Sequence, residues 1–319
     1  MKSMAIRVLL LSASVTAAFG GTSAFAAYPD KPVKYIIPFA PGGESDIAGR
    51  FQQLVFRKKF NVELVVESKP GAGGALAWSQ TNTFAGDGYT WMSTNLPHIV
   101  LQPLEGQVQY KTDDLSNVCF YHYTPDAIVV RSESPYKTYQ DLVKAAKEAP
   151  GAVTIAGSGT NSANHLATER FNGAAGVKTT YVPFKGTGDL VASLLGGHVS
   201  MAMSYVTLAI AQKGKTRVLA VATEKRHPQF PDAPTFKELG IDWVDGAYRG
   251  IALPKSATSE MRKQVSDICL DINKDADFQK RMAEGGFELV DIGVDKMPAF
   301  MAERTKVYIE TAKRMGLVK

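Results

Sequence analysis

The sequence feature that most constrains the fold is a hydrophobic run that ends in a glycine turn and passes into a polar helix start. It extends from Tyr35 to Asp46 and reads YIIPFAPGGESD. The β-branched and aromatic run is typical of a buried strand, and glycines permit a positive φ and a close approach of a ligand to the backbone. Ser45 or Asp46 is placed to cap the following helix. The free N–H groups of such a helix start favour an anion, although an ordinary strand-to-helix turn has the same pattern.

The same pattern returns in the second half of the chain, where Ile155 to Ser162 reads IAGSGTNS. Each copy is followed by a further strand, turn, helix and strand, which predicts two α/β units. Open α/β sheets hold ligands at the carboxyl ends of their strands. Thr94 and Asn95 end the third predicted strand of the first unit at that edge, and Tyr205 ends the corresponding strand of the second unit.

Two apolar segments, Val118 to Val130 and Asp245 to Leu253, are predicted to carry the chain from the first unit to the second and back. We therefore predict an α/β fold of two Rossmann-like lobes, joined by two crossover strands, with a ligand cleft between them. Lobe 1 is expected to contain residues 27–124 and 247–319, and lobe 2 residues 125–246. Hinge closure is the motion that such an arrangement permits.

The first 26 residues have the pattern of a secretory signal peptide. Lys2 and Arg7 precede an apolar run, and Ala24-Phe25-Ala26 forms a small-residue cleavage site. The apolar run is short for a spanning helix, which needs about 20 apolar residues, although a retained anchor is the alternative. We expect export to the periplasm with cleavage after about Ala26.

The charge balance gives no indication of a polyanionic partner. The net charge is +5, and the densest basic run, Arg57 to Lys59, lies at the end of the first predicted helix, where cations complement the helix dipole. We interpret it as a solvated helix end, and we expect no nucleic-acid binding.

The chain has two cysteines, Cys119 and Cys269. An oxidising compartment permits a disulfide between them, but their apolar surroundings favour two buried free thiols. The sequence has no C-x-x-C or H-E-x-x-H pattern, and its five histidines are scattered, so we expect no metal and no cofactor.

No motif supplies a convincing catalytic site. Gly214-Lys215-Thr216 lacks the first glycine of a P-loop and precedes a strand. The 157–159 segment, GSG, lacks the flanking glycines of a nucleophile elbow, and no G-x-G-x-x-G pattern follows a strand. Without a nucleophile, base and orienting group in one pattern, the sequence favours a binding protein over an enzyme.

The chain contains a set of short motifs at 28–32 (YPDKP), 38–43 (PFAPGG) with Asp46, 70–74 (PGAGG), 87–90 (DGYT), 157–159 (GSG) with 165–167 (HLA), 181–186 (YVPFKG) and 194–197 (LLGG). Taken together, these motifs resemble the Bug or TctC-type periplasmic solute-binding proteins of tripartite tricarboxylate transporter systems, over essentially all of residues 28–319. The resemblance implies the type II periplasmic-binding-protein fold. It also implies the capture of a carboxylated metabolite for a membrane permease or, in some members, for a sensor.

The resemblance places the ligand carboxylates at the two glycine loops, held largely by backbone N–H groups and water. In this chain the loops are residues 42–46 of lobe 1 and 158–164 of lobe 2. The candidate ligand-binding residues are Gly42, Gly43, Glu44, Ser45, Asp46, Thr94, Asn95, Ser158, Gly159, Thr160, Asn161, Asn164, Lys185, Tyr205 and Arg249.

Two candidates carry charges that bear on the ligand. Glu44 stands where similar proteins often have a non-acidic residue, and near an anion pocket it would repel a second carboxylate. We expect its side chain to face solvent; protonation, or selection for an amino or hydroxyl group, are the alternatives. Arg249 could clamp a distal carboxylate or be a surface cation at the hinge. His98, Lys185 and Tyr205 are weaker candidates.

We therefore predict a monomeric periplasmic protein that binds a small di- or tricarboxylate, aliphatic or aromatic. It would pass this ligand to the permease of a tripartite tricarboxylate transporter and catalyse no reaction. The alternatives are a ligand-sensing subunit for a signalling receptor, or an enzyme on the same scaffold with Asp46 as its base.

Overall fold

A computed structural model describes residues 28–318 of the chain, and the predicted signal peptide lies outside the described residues. Among these residues no helix is long and apolar enough to cross a membrane. The strands are β1 (Val33–Ile37), β2 (Leu64–Ser68), β3 (Thr90–Leu96), β4 (Ser116–Arg131), β5 (Thr154–Ser158), β6 (Thr180–Phe184), β7 (Met201–Tyr205), β8 (Thr216–Val221), β9 (Gly246–Leu253) and β10 (Glu288–Ile292).

The helices lie between and after these strands. They are α1 (Glu44–Phe60), α2 (Ala75–Trp78), α3 (His98–Leu101), α4 (Tyr139–Glu148), α5 (Ala163–Ala175), α6 (Thr187–Leu195), α7 (Val206–Ala211), α8 (Ser259–Asn273), α9 (Ala276–Glu284) and α10 (Met297–Arg314). The glycine turn after β1 is found, but α1 starts at Glu44 with Gly43 at its N-cap position, so neither Ser45 nor Asp46 caps it as predicted.

Strand β4 belongs to two sheets in succession. Its residues 116–125 pair with β9, whereas its residues 126–131 pair with β7 and β8. The sheet of lobe 1 has the order β2-β1-β3-β9-β4-β10, and that of lobe 2 the order β6-β5-β7-β4-β8. The chain thus has the predicted two-lobed α/β fold, in which β4 and β9 cross between the lobes.

Each sheet is buried on both faces, which the period-two alternation of strand side chains explains. On β1, Tyr35 and Ile37 pack into one hydrophobic cluster, and Ile36 packs into the cluster on the opposite face. On the second half of β4, Ile128 and Val129 likewise face opposite clusters. These buried central strands fix the carboxyl ends of β1, β3, β5 and β7 between the lobes.

The two cysteines are joined in lobe 1, contrary to the prediction of free thiols. Cys119 on β4 and Cys269 on α8 form a disulfide with a Cα–Cα distance of 6.6 Å. Both are fully buried in the same cluster. The apolar setting was interpreted correctly, but the contact between β4 and α8 is a tertiary feature that the spacing of the cysteines does not reveal.

Candidate functional site

The glycine turn of lobe 1 is stabilised by the carboxylate of Asp46. Its Oδ2 accepts the Gly42 N–H at 3.0 Å, where Gly42 has a φ of 81°, and it also accepts Arg50 Nε at 3.1 Å. Asp46 therefore holds the shape of the turn. The neighbouring residues Gly43, Glu44 and Ser45 face the space between the lobes.

The glycine loop of lobe 2 folds around an asparagine. The backbone N–H and the hydroxyl of Ser158 both donate to Asn164 Oδ1, at 2.9 and 2.6 Å. Ser162 caps α5 by accepting the His165 N–H at 3.1 Å. Asn164 thus supports the loop from beneath, and the backbone N–H of Asn161 donates to His165 Nδ1 at 3.2 Å. Ser158 faces the space between the lobes beside the glycine turn of lobe 1.

The side chain of Glu44 extends from lobe 1 and contacts lobe 2. It is 4% exposed, so the expectation that it faces solvent is wrong. Oε2 accepts the hydroxyl of Thr187 at 2.6 Å, and Oε1 accepts that of Thr207 at 3.0 Å. Thr187 begins α6 and Thr207 lies in α7, so a carboxylate of lobe 1 is bound by two hydroxyls of lobe 2.

Arg249 on the crossover strand β9 completes this arrangement. Its Nη2 lies 3.7 Å from Glu44 Oε2, and its guanidinium is 4.8 Å from the ring centre of Tyr205. Nη1 donates to the hydroxyl of Thr124 and to the Ala247 carbonyl. The side chain is only 3% exposed, which rules out the alternative of a surface hinge cation.

The space that these residues enclose between the lobes is a polar cavity of about 10 Å³, roughly the volume that one water needs. A metabolite can enter only if the lobes separate. Asn95 Oδ1, Arg249 Nε and both ring nitrogens of His98 are buried there without a partner. The cavity is lined by Phe39, Gly43, Glu44, Ser45, Asn95, His98, Ser158, Thr187, Tyr205 and Arg249.

The imidazole of His98 is neutral in this cavity. Burial, assisted by the positive charge of Arg249, lowers the pKa of His98 to about 3. Its unpartnered nitrogens therefore offer one donor and one acceptor. Among the cavity-lining residues, the ionic charges are those of Glu44 and Arg249.

Seven of the candidate residues predicted from the sequence line the cavity, and the others do not. Thr94 donates instead to Asn117 Oδ1 at 2.8 Å. Gly159, Thr160 and Lys185 line a separate and larger groove between the lobes, of about 350 Å³, whose lobe 1 side includes Gly73 and Gln102. The seven that meet in the cavity are Gly43, Glu44, Ser45, Asn95, Ser158, Tyr205 and Arg249, while Gly42, Asp46, Asn161 and Asn164 have the supporting contacts described above.

Sequence reasoning missed the contribution of the third glycine turn. Gly186-Thr187-Gly188 follows the parallel strand β6 and begins α6, so it repeats the pattern of the other two turns. That repetition was a signal for Thr187. Thr207 had no comparable signal, because it lies in a short helix that follows β7.

The lobes contact each other through backbone at Gly188. A Cβ atom built on this residue would lie 2.2 Å from the carbonyl oxygen of Pro41 in lobe 1. No real Cβ approaches backbone that closely, so the observed contact requires glycine at this position.

We predict that Gly188→Ala holds the lobes apart while leaving each lobe folded. Ligand affinity should fall at least tenfold, equivalent to about 1.4 kcal/mol. Small-angle X-ray scattering should give a larger radius of gyration. Gly173→Ala in α5 is the matched control, because a Cβ there meets no atom within 4 Å. An unchanged radius and affinity for Gly188→Ala would show that closure does not need this contact.

The fold and the cavity define a class of protein, the two-lobed α/β solute-binding proteins. The chain belongs to the TctC family, the tripartite tricarboxylate transporter family receptors, whose family model matches residues 48–317.

Similar sequences and solved structures support this family assignment. A UPF0065 protein in the gbd 5′ region of Cupriavidus necator is 30% identical over 92% of this chain and 90% of its own length. The periplasmic binding protein BugD has a TM-score of 0.85 at 26% identity, covering 92% of this chain and 100% of its own. An R. palustris protein solved with adipate has a TM-score of 0.83 at 22% identity, covering 91% and 98%, which shows the shared fold.

Proposed function

We propose that this protein is a periplasmic receptor that captures a small carboxylate and delivers it to the permease of a tripartite tricarboxylate transporter. The sequence predicts a di- or tricarboxylate, aliphatic or aromatic, as the ligand. The protein acts by binding alone and catalyses no reaction. In this proposal the chain is exported, the segment 1–26 is removed, and the receptor works as a monomer.

The observation that carries the proposal is that the cleft already binds a carboxylate, namely that of Glu44. Two threonine hydroxyls and the Arg249 guanidinium surround it, with distances of 2.6, 3.0 and 3.7 Å. Charge-assisted hydrogen bonds of this kind are about twice as strong as neutral ones. Unpartnered polar atoms of Asn95 and His98 remain for the rest of a ligand.

Three further observations support the proposal. The family description names tricarboxylate transport, and the R. palustris protein of the same fold was solved with adipate. A disulfide persists in an oxidising compartment, which agrees with export. Asp46, the base of the alternative enzyme, is occupied in its turn by Gly42 and Arg50 and does not line the cavity.

The test is a thermal-shift panel on residues 27–319. Succinate, citrate, adipate, the phthalate isomers and nicotinate are compared with sugars and cationic amines. A ligand at 100 times its dissociation constant should stabilise the protein by about 2.7 kcal/mol. Stabilisation by sugars or amines, with no response to any carboxylate, would refute the proposal. Lys144→Met on α4, where the side chain is 77% exposed, is the control variant and should respond like the wild type.

A further inference from the structure

Glu44 occupies the place where a ligand carboxylate would be expected. It comes from the start of α1 in lobe 1, yet its acceptors are filled by Thr187 and Thr207 of lobe 2 and by Arg249 of the crossover strand. All three partners are groups that recognise carboxylates generally. The Glu44 carboxylate therefore makes, within the molecule, the contacts that the carboxylate of a bound ligand would make between the lobes.

The charge balance of the cavity follows from this contact. Glu44 and Arg249 neutralise each other, and His98 is uncharged because its pKa is about 3. Because this lining is already neutral, a ligand with one carboxylate adds one negative charge that no cation of the lining compensates, and a ligand with two carboxylates adds two. A buried charge without a partner is strongly disfavoured.

We propose that Glu44 is a resident carboxylate of the cleft, which holds the lobes together and selects the ligand. The ligand is a carboxylate whose other end is a neutral or positively charged hydrogen-bond donor, such as an amide, hydroxyl or ammonium group. This inference rests on the proposed function, and it narrows the di- or tricarboxylate expected from the sequence.

The first test needs no knowledge of the natural ligand. Glu44→Ala removes the resident carboxylate and leaves its three partners around a space that acetate can fill. Acetate at 100 mM is at about 100 times its dissociation constant if that constant is about 1 mM. At this concentration it should raise the melting temperature of Glu44→Ala by several degrees. Sodium chloride of equal ionic strength should not. The wild type and Glu260→Ala, which lacks an exposed carboxylate of lobe 1, should not respond to acetate.

Two results would overturn the resident carboxylate: acetate stabilises all three proteins equally, or it stabilises none of them. If Glu44→Ala does not fold, Glu44→Gln is used as the test variant in its place, because it keeps the side-chain volume and removes the charge. In that variant the lobes should separate more readily without ligand, giving a larger radius of gyration in small-angle scattering. A radius equal to that of the wild type would count against the proposal.

The second test measures selectivity by calorimetry with two matched ligand pairs, succinate with succinamate and adipate with adipamate. The wild type should bind the monoamide of a pair at least tenfold more tightly than the diacid, and Glu44→Ala should reverse the order. An equal ratio of monoamide to diacid affinity in the wild type and in Glu44→Ala would refute the role of Glu44 in selecting the ligand. If neither member of either ligand pair binds either protein but acetate stabilises Glu44→Ala, the proposed function fails and the resident carboxylate stands. If the diacids bind both proteins equally and acetate has no effect, the proposed function stands and the resident carboxylate fails.

Discussion

Replacing Arg249 by methionine is expected to lower the free energy of unfolding by about 3–5 kcal/mol, the range found when one partner of a buried ion pair is removed. The guanidinium is 3% exposed and Glu44 is 4% exposed, so bulk solvent does not screen the carboxylate that is left. The substitution also removes the contact with the Tyr205 ring and the donor to Thr124. Urea unfolding followed by circular dichroism measures the loss.

The double variant Arg249→Met, Glu44→Gln separates the missing cation from the missing packing. Removing the charge of Glu44 as well should recover a large part of the lost stability, because no buried carboxylate is then left without a cation. Arg57→Met is the control. Arg57 pairs with Glu63 on the surface, where its side chain is 71% exposed, and such pairs contribute about 0–1 kcal/mol. An Arg249→Met loss no greater than that of Arg57→Met would mean that the pair is not stabilising.

The same buried pair shows where sequence reasoning reached its limit at the site. Gly43 and Ser158 were predictable, because each follows a buried strand in a glycine turn and lies at the carboxyl edge of its sheet. The direction of the Glu44 side chain was not predictable. It depends on Thr187 and Thr207, which are 143 and 163 residues away in the chain. A lone acidic residue in a polar turn has the same local sequence whether it faces solvent or a partner lobe.

Much of the fold was predictable because its buried strands are visible as apolar segments of the sequence. The crossover strands β4 and β9 are long apolar runs, and the predicted segments Val118 to Val130 and Asp245 to Leu253 nearly match their bounds. Strand β10 was not predicted, because Glu288 to Ile292 is a short segment that is half exposed at the edge of its sheet. The helix before it, α9, was missed as well, although Phe278 and Met282 form a buried apolar pair at i, i+4 spacing.

Removing the disulfide with Cys119→Ala, Cys269→Ala is expected to lower the free energy of unfolding by about 4–5 kcal/mol. The two residues are 150 positions apart, and the chain between them leaves lobe 1, forms lobe 2 and returns. The bridge therefore closes a very large loop, and in the chain-entropy model the stabilisation grows with loop length. Urea unfolding of the wild type and the variant measures the difference.

Reduction of the wild type provides an independent route to the same state. Dithiothreitol should lower the wild-type midpoint towards that of the variant and leave the variant unchanged. The carboxylate affinity of the folded variant should match that of the wild type, because Cys119 and Cys269 lie in the core of lobe 1 and not in the cavity. Coincident unfolding curves for the oxidised wild type and the variant would contradict the prediction. A variant that kept its stability but lost affinity would instead show that the bridge positions β4 for closure of the lobes.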